Sequence, residues 1–210
     1  MSELLKRTAT GIALAVVGLS AILCLPSLWF TVFLLFVFVG MAMEWYGLCG
    51  KQYDKHFFPY IMGIIFYLTV PLLCLAWLHY QTEAYVLWLV LVVAATDIGA
   101  YFVGRSIGRH KIAPKLSPKK TWEGLAGGML LAGVAGFYAA PYLEIEVGLV
   151  LAPCLAVLAQ TGDFFESYMK RMAGVKDSGH ILPGHGGLLD RFDGLLFVAP
   201  TMALLVFLYL

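Results

Sequence analysis

Three stretches of the sequence hold acidic residues where chemistry explains them better than solvation does. The first reads Thr96-Asp97-Ile-Gly-Ala-Tyr101-Phe-Val-Gly-Arg105, and places Asp97, Tyr101 and Arg105 four residues apart. On a helix that spacing makes one polar stripe. The second reads Gln160-Thr-Gly-Asp163-Phe-Phe-Glu166-Ser167-Tyr-Met-Lys170-Arg171, where Gln160, Asp163, Ser167 and Lys170 or Arg171 share a helical face and Glu166 lies beside it. The third, Asp190-Arg191-Phe-Asp193, sets two acids one helical turn apart. All three stretches lie at the ends of long apolar runs. A charge at mid-membrane costs on the order of 2.5–3.5 kcal/mol on insertion scales, so an acid at or near membrane depth usually has a task. Carboxylates with amide and hydroxyl neighbours form a hard-oxygen set suited to Mg²⁺. Phosphoryl-transfer sites use several carboxylates because the ion bridges protein and phosphate oxygens. Asp97, Asp163, Asp190 and Asp193 together can supply that set. Plainer roles compete with it: interfacial pairing of Asp97 with Arg105, hydrogen bonding between helices by Gln160 and Ser167, and capping of a helix N-terminus by Asp190.

Two loops supply cationic and glycine-rich partners. Gly104-Arg105-Ser-Ile-Gly108-Arg109-His110-Lys111 leads into Lys115-Leu-Ser117-Pro118-Lys119-Lys120-Thr121-Trp122-Glu123-Gly124. The second half reads as a helix start, capped by Thr121 or Ser117, whose first N–H groups face phosphate. The other loop, Lys176-Asp177-Ser178-Gly179-His180-Ile-Leu-Pro183-Gly184-His185-Gly186-Gly187, is glycine-rich. Its glycines allow close backbone approach, and successive N–H groups can make an anion nest. The two histidines have no third nitrogen or sulfur ligand nearby, so zinc is not expected. A phosphate contact or a general-acid role suits His185 better. Cys24, Cys49, Cys74 and Cys154 show neither metal-ligand spacing nor a disulfide framework and read as packing residues.

The elements that position these residues follow from composition. The chain has 210 residues, 61% of them hydrophobic and 13% charged. That is about half the charge of an average soluble domain. Apolar runs near or above ~18 residues recur, the length that crosses a bilayer as helix. An all-α, polytopic membrane protein is expected, with about seven spans near 9–25, 27–48, 58–78, 84–103, 122–142, 147–165 and 191–210. Strands are not expected in them, because helices satisfy their own backbone in lipid. The first span reads as an uncleaved helix rather than a signal peptide. Residues 1–80 form a leading group of about three spans. Residues 81–210 form the catalytic region, with loops 104–121 and 166–190. All 14 Lys and Arg residues then fall on one side, while the other holds Glu83, Glu144 and Glu146. The positive-inside rule makes the basic side, and the N-terminus, cytoplasmic.

The run from Ser167 to Asp193, with Lys170-Arg171, Lys176-Asp177, Pro183-Gly-His-Gly-Gly187 and Asp190-Arg-Phe-Asp193, resembles the signature of the CTP:phosphatidate cytidylyltransferases, or CDP-diacylglycerol synthases. The Asp97–Tyr101, Ser117–Gly124 and Gly162–Ser167 segments are similar to other blocks of that family, and Glu44-Trp45 is a weaker echo. Members are commonly longer at the N-terminus, so leading spans are expected to be missing here. The resemblance implies Mg²⁺-dependent transfer of CMP from CTP to phosphatidic acid, giving CDP-diacylglycerol and pyrophosphate. It also implies a homodimer among membrane lipids in the bacterial inner membrane, with a cytoplasm-facing site and no nucleic-acid partner. On that footing Asp163 and Asp193 are the leading metal ligands, with Asp97 and Asp190 as helpers. Lys176 and Arg191 join the catalytic group. Arg105, Ser117, Lys119, Lys120, Ser167, Lys170, Arg171, His185, Gly186 and Gly187 are the expected substrate contacts. A second metal or a monovalent ion sharing the site stays open. The alternatives are a CTP-dependent enzyme for another lipid phosphate or lipid alcohol, a lipid-binding scaffold, and an anion transporter. A transporter should show inverted repeats and helices broken at mid-membrane, and neither is legible.

Overall fold

The computed structural model describes residues 3–49, 61–143, 148–179, 181–182 and 186–209. Helix α1 (Glu3–Cys24) ends because Pro26 lacks an amide donor and pushes the preceding residue out of helical geometry. Helix α2 (Ser27–Cys49) starts directly after it. Helix α3 (Gly63–Gln81) opens with a π-helical stretch, Gly63–Thr69, before turning α-helical. In that stretch the Thr69 hydroxyl donates to Ile64 O at 2.9 Å, five residues back, and the backbone of Gly63 lies against the Trp45 indole. A side chain at residue 63 would occupy the ring's space. Helix α4 (Glu83–Ser106) is capped by Thr82, whose hydroxyl accepts from Ala84 N at 3.3 Å.

A hairpin follows, formed by β1 (Lys111–Ala113) and β2 (Ser117–Thr121), antiparallel with Lys111 opposite Thr121 and Ala113 opposite Ser117. Helix α5 (Trp122–Ala139) then begins and ends in a short 3₁₀ turn, Ala140–Leu143. Helices α6 (Gly148–Met172) and α7 (Leu189–Tyr209) complete the chain. Among the described residues, these seven helices overlap the seven expected spans. Four of them, α2, α3, α4 and α7, are long and apolar enough to cross a membrane, with mean hydropathy between 1.7 and 2.1. The hairpin is the addition to the helical expectation among the described residues.

Packing is close where side chains are small. Helix α5 turns Gly124, Gly127, Gly128, Ala132, Gly133 and Gly136 inward. A Cβ on Gly99 of α4 would stand 2.5 Å from Gly127 O, so the two backbones pack almost in contact. Trp88, fully buried, donates its indole N–H to Gly136 O at 3.2 Å and ties the far ends of α4 and α5 together. Below the acids, Tyr67 of α3 packs on Trp45, Phe165 and Phe197 with ring centroids 4.9–6.1 Å apart. This aromatic plug joins α2, α3, α6 and α7. The outer surface is apolar in turn: Leu28, Phe36, Leu130, Val150 and Phe207 are each at least 70% exposed. An exposed apolar belt of this kind suits lipid and not water.

Candidate active site

The charged ends of α4, α6 and α7 meet the hairpin at one end of the bundle. A cavity of about 200 Å³ opens there, lined by Asp97, Ala100 and Tyr101 of α4, Lys119, Lys120 and Thr121 of β2, Gly124 and Leu125 of α5, and Gln160 and Asp163 of α6. The Gln160 amide donates to Asp97 Oδ1 at 3.4 Å, so the acid of α4 meets an amide of α6 and not Arg105. Arg105 donates instead to the Tyr101 hydroxyl at 2.6 Å and is exposed at the helix end. The polar stripe of α4 therefore splits: Asp97 and Tyr101 face the cavity, and Arg105 braces Tyr101 from outside.

Asp163 is the centre of the cluster. Its Oδ2 accepts from Lys120 Nζ at 2.5 Å, and its Oδ1 from the Ser167 hydroxyl at 3.4 Å. The Lys120 ammonium also stands 4.6 Å from the centre of the Phe164 ring, a cation–π position. The α6 and α7 backbones meet closely at Gly162, which lies against Asp193 O and the Phe197 ring. That contact brings Asp193 beside Asp163. Asp97, Asp163 and Asp193 are close enough to repel one another electrostatically. Asp193 Oδ1 accepts from Gly194 N at 2.7 Å.

Asp190 has a different position. Its Oδ1 accepts from Lys170 Nζ at 2.5 Å, and its Oδ2 accepts from Gly187 N at 2.7 Å, Ser178 N at 3.2 Å and Ser178 Oγ at 2.9 Å. Both oxygens are taken by protein donors. Lys170 is 12% exposed and also donates to Glu166 Oε2 at 2.7 Å. It thus stitches α6 to α7 between two carboxylates, where the sequence suggested a phosphate contact. Arg171 is exposed and donates to Val175 O at 3.0 Å, closing the end of α6. Lys176 and Arg191 are exposed at the same end.

The hairpin corrects one expectation. Ser117 does not cap a helix; it opens β2. Pro118 explains this, because it drives the residue before it into extended geometry. Thr121 is the cap of α5, accepting from Gly124 N at 3.1 Å. Beside it, Glu123 holds the turn before β1, accepting from His110 Nδ1 at 2.6 Å.

The described part of the glycine-rich loop, Lys176–Gly179, Ile181, Leu182, Gly186 and Gly187, turns amides to carboxylates of the protein itself. Gly186 has φ +80°, a left-handed conformation that glycine favours, and Leu182 pairs with it in a β-bridge. The N–H groups of Ser178 and Gly187 turn to Asp190, and those of Leu188 and Leu189 turn to Glu44, each of the latter at 2.9 Å. The anions they hold are the protein's own. His185 lies outside the described residues. Glu44, which the sequence marks only as a weak family echo, and Ser178, which it marks only within the loop, carry no site role there, yet Glu44 binds the start of α7 and Ser178 binds Asp190. The signal for Glu44 was available, since it is the only charged residue in α2.

Comparison with known proteins decides the family. The model of the cytidylyltransferase family matches residues 74–209. The chain belongs to that family. A relative from Rickettsia bellii, named phosphatidate cytidylyltransferase, is 37% identical, and the alignment covers all of this chain and 93% of that protein. One of the same name from Rickettsia felis is 36% identical over 93% of this chain and 89% of its own length. The Bacillus subtilis protein of that name is 46% identical over 60% of this chain and 48% of its own length.

Metal chemistry can be tested on the donor set. Among the described residues no three His, Cys, Asp or Glu side chains form a metal cage. Asp163 nonetheless holds a cation already, the Lys120 ammonium, with Asp97 and Asp193 close by. Mg²⁺ is usually bound by one or two carboxylates with phosphate and water completing its shell. The residues fit an ion shared with a phosphate substrate rather than one caged by protein alone.

Proposed function

We propose that this chain is a phosphatidate cytidylyltransferase, transferring CMP from CTP to phosphatidic acid with release of pyrophosphate. The observation that carries this reading is the convergence of Asp97, Asp163, Lys119 and Lys120 on one cavity at the charged end of an apolar bundle. Acids and lysines in that arrangement suit a triphosphate and a lipid phosphate together, and family membership supplies the nucleotide class. A phosphatidate oxygen attacks the α-phosphorus of CTP. A new P–O bond forms, the bond from the α-phosphorus to the bridging oxygen breaks, and pyrophosphate leaves.

Asp163 and Asp193 are the carboxylates we assign to Mg²⁺, with Asp97 assisting. When bound, that ion neutralises charge on the triphosphate and on the departing pyrophosphate. Asp190, whose oxygens are occupied by Lys170 and the 178–187 loop, serves as an organiser of the site. Lys119 and Lys120 reach the phosphates as point charges, and the exposed Lys176 and Arg191 extend the cationic rim. A lipid phosphate is already ionised near neutral pH, so no strong base is needed. The protein's contribution is to hold the reactants in line and stabilise charge.

The wider reading follows the same logic. Seven spans, an N-terminus and active end in the cytoplasm of the bacterial inner membrane, and a homodimer complete the proposal. Light scattering of the detergent-solubilised protein tests the dimer. The reaction itself is tested by giving purified protein labelled CTP, Mg²⁺ and a panel of lipid phosphates and lipid alcohols. CDP-diacylglycerol should form from phosphatidate alone. A phosphorylated lipid alcohol, or no lipid product, would overturn the assignment.

A further inference from the structure

We propose that Glu44 is a positioning residue for CMP transfer, acting from α2 on the start of α7. Glu44 is 5% exposed, and it comes from a helix of mean hydropathy 1.9. Its Oε1 accepts from Leu188 N at 2.9 Å. Its Oε2 accepts from Leu189 N at 2.9 Å and lies 3.3 Å from the Ser178 hydroxyl, which it shares with the nearer Asp190 Oδ2 at 2.9 Å. Among the described residues, its partners are thus two amides at the α7 N-terminus and one hydroxyl of the loop that follows α6. The fit is tight from both sides. A Cβ on Gly179 would stand 2.5 Å from Oε1, and one on Gly187 would stand 2.6 Å from Oε2.

A buried carboxylate is costly unless its hydrogen bonds are made. Here it is held by the amides and partial positive charge that a helix N-terminus presents. The consequence reaches the cavity through the chain. The next residue after Leu189 is Asp190, which gathers Lys170, Ser178 and Gly187, and Asp193 lies one turn further along α7. Glu44 therefore fixes where the helix bearing both acids begins, and fixes the loop against it. It lies outside the segment that the family's model matches, which starts at residue 74, though inside the alignment to the Rickettsia bellii relative. The leading helices are then part of the catalytic unit and more than an anchor.

This inference rests on the cytidylyltransferase reading, so the test separates the two. Glu44→Gln is nearly isosteric but sets an NH₂ group against an amide N–H, donor against donor. Glu44→Asp keeps the charge and shortens the reach. Misplacement of a reacting group by about 1 Å costs on the order of 100-fold. We therefore expect kcat for CDP-diacylglycerol formation to fall by about 10- to 100-fold in Glu44→Gln, with KM for CTP within about twofold. Activity is normalised to correctly folded protein by size-exclusion in detergent. Glu44→Asp should recover part of the loss. Hydrogen exchange supplies an activity-independent readout: amides of residues 187–193 should exchange faster in Glu44→Gln, while those of α5 stay unchanged. Wild-type kcat per folded molecule, or unchanged exchange at 187–193, would overturn the proposal. If the wild type makes no CDP-lipid while Glu44→Gln still speeds exchange at 187–193, the functional reading fails and Glu44 is left as a structural contact with no role in CMP transfer.

Discussion

Asp163 links the cationic hairpin to α6. One oxygen holds Lys120 at 2.5 Å, and the other is within reach of Ser167. Removing its charge while keeping its shape should release Lys120 and weaken any cation held there. Asp163→Asn and Asp193→Asn are each expected to lower CMP transfer by more than about 100-fold, the scale of a lost electrostatic group in a preorganised site. Both proteins should still insert in the membrane, so activity is compared at equal membrane-inserted protein. Near wild-type turnover at saturating Mg²⁺ in either one would remove it from the metal set. Lys119 lines the cavity and is exposed. Lys119→Ala should raise KM for CTP or phosphatidate about tenfold, the loss of roughly 1.4 kcal/mol of binding to phosphate. Unchanged KM for both substrates would take it out of the site. At this scale much was legible beforehand. Asp97, Gln160, Asp163, Ser167 and Asp193 stand out as polar groups at helical spacing in apolar runs. What spacing cannot reveal is which oxygen is already occupied: Asp190 accepts from Lys170, Ser178 and Gly187, and Lys170 bridges Asp190 and Glu166.

Among the elements, α4 and α5 set the floor of the cavity through glycine. Gly99 against Gly127 and Gly128 against Thr96 O allow the two backbones to approach, and Ala100 and Gly124 then face the cavity from adjacent helices. A larger residue must push the helices apart. Gly99→Val and Gly127→Leu should destabilise the protein by about 1–3 kcal/mol, the usual cost of overpacking, and widen the cavity. Gly47→Ala, where nothing lies within 4 Å, should be neutral or slightly stabilising. Thermal unfolding in detergent compares the three, and an unfolding temperature for Gly127→Leu equal to that of wild type would show that the helices are not held at this contact. The hairpin was the element the sequence obscured. Ser117-Pro-Lys-Lys-Thr carries the polar residues of a helix cap, yet Pro118 forces extension and Thr121 alone caps α5.

For the whole molecule, the apolar exterior of the described helices suits a membrane protein, and the acids and lysines that line the cavity gather at one end of the bundle. A topology test follows from the proposed orientation. In a background without native cysteines, a cysteine at position 115 should react with a membrane-impermeant thiol reagent only from the cytoplasmic face. One at position 83 should react only from the opposite face. Reversed labelling would invert the topology, and labelling of both from one face would change the number of spans between them. The sequence by itself determined the helical class, the approximate bounds of seven helices and the family, because apolar length, charge distribution and motif spacing are local properties of the chain. Only the tertiary structure decided which acid partners which cation, and that Glu44 of α2 binds the start of α7. Those contacts join residues up to 145 positions apart, and no local periodicity encodes a hydrogen bond across that distance. The one-ended cluster of acids and bases therefore becomes a site only when helix packing assigns each charge its neighbour.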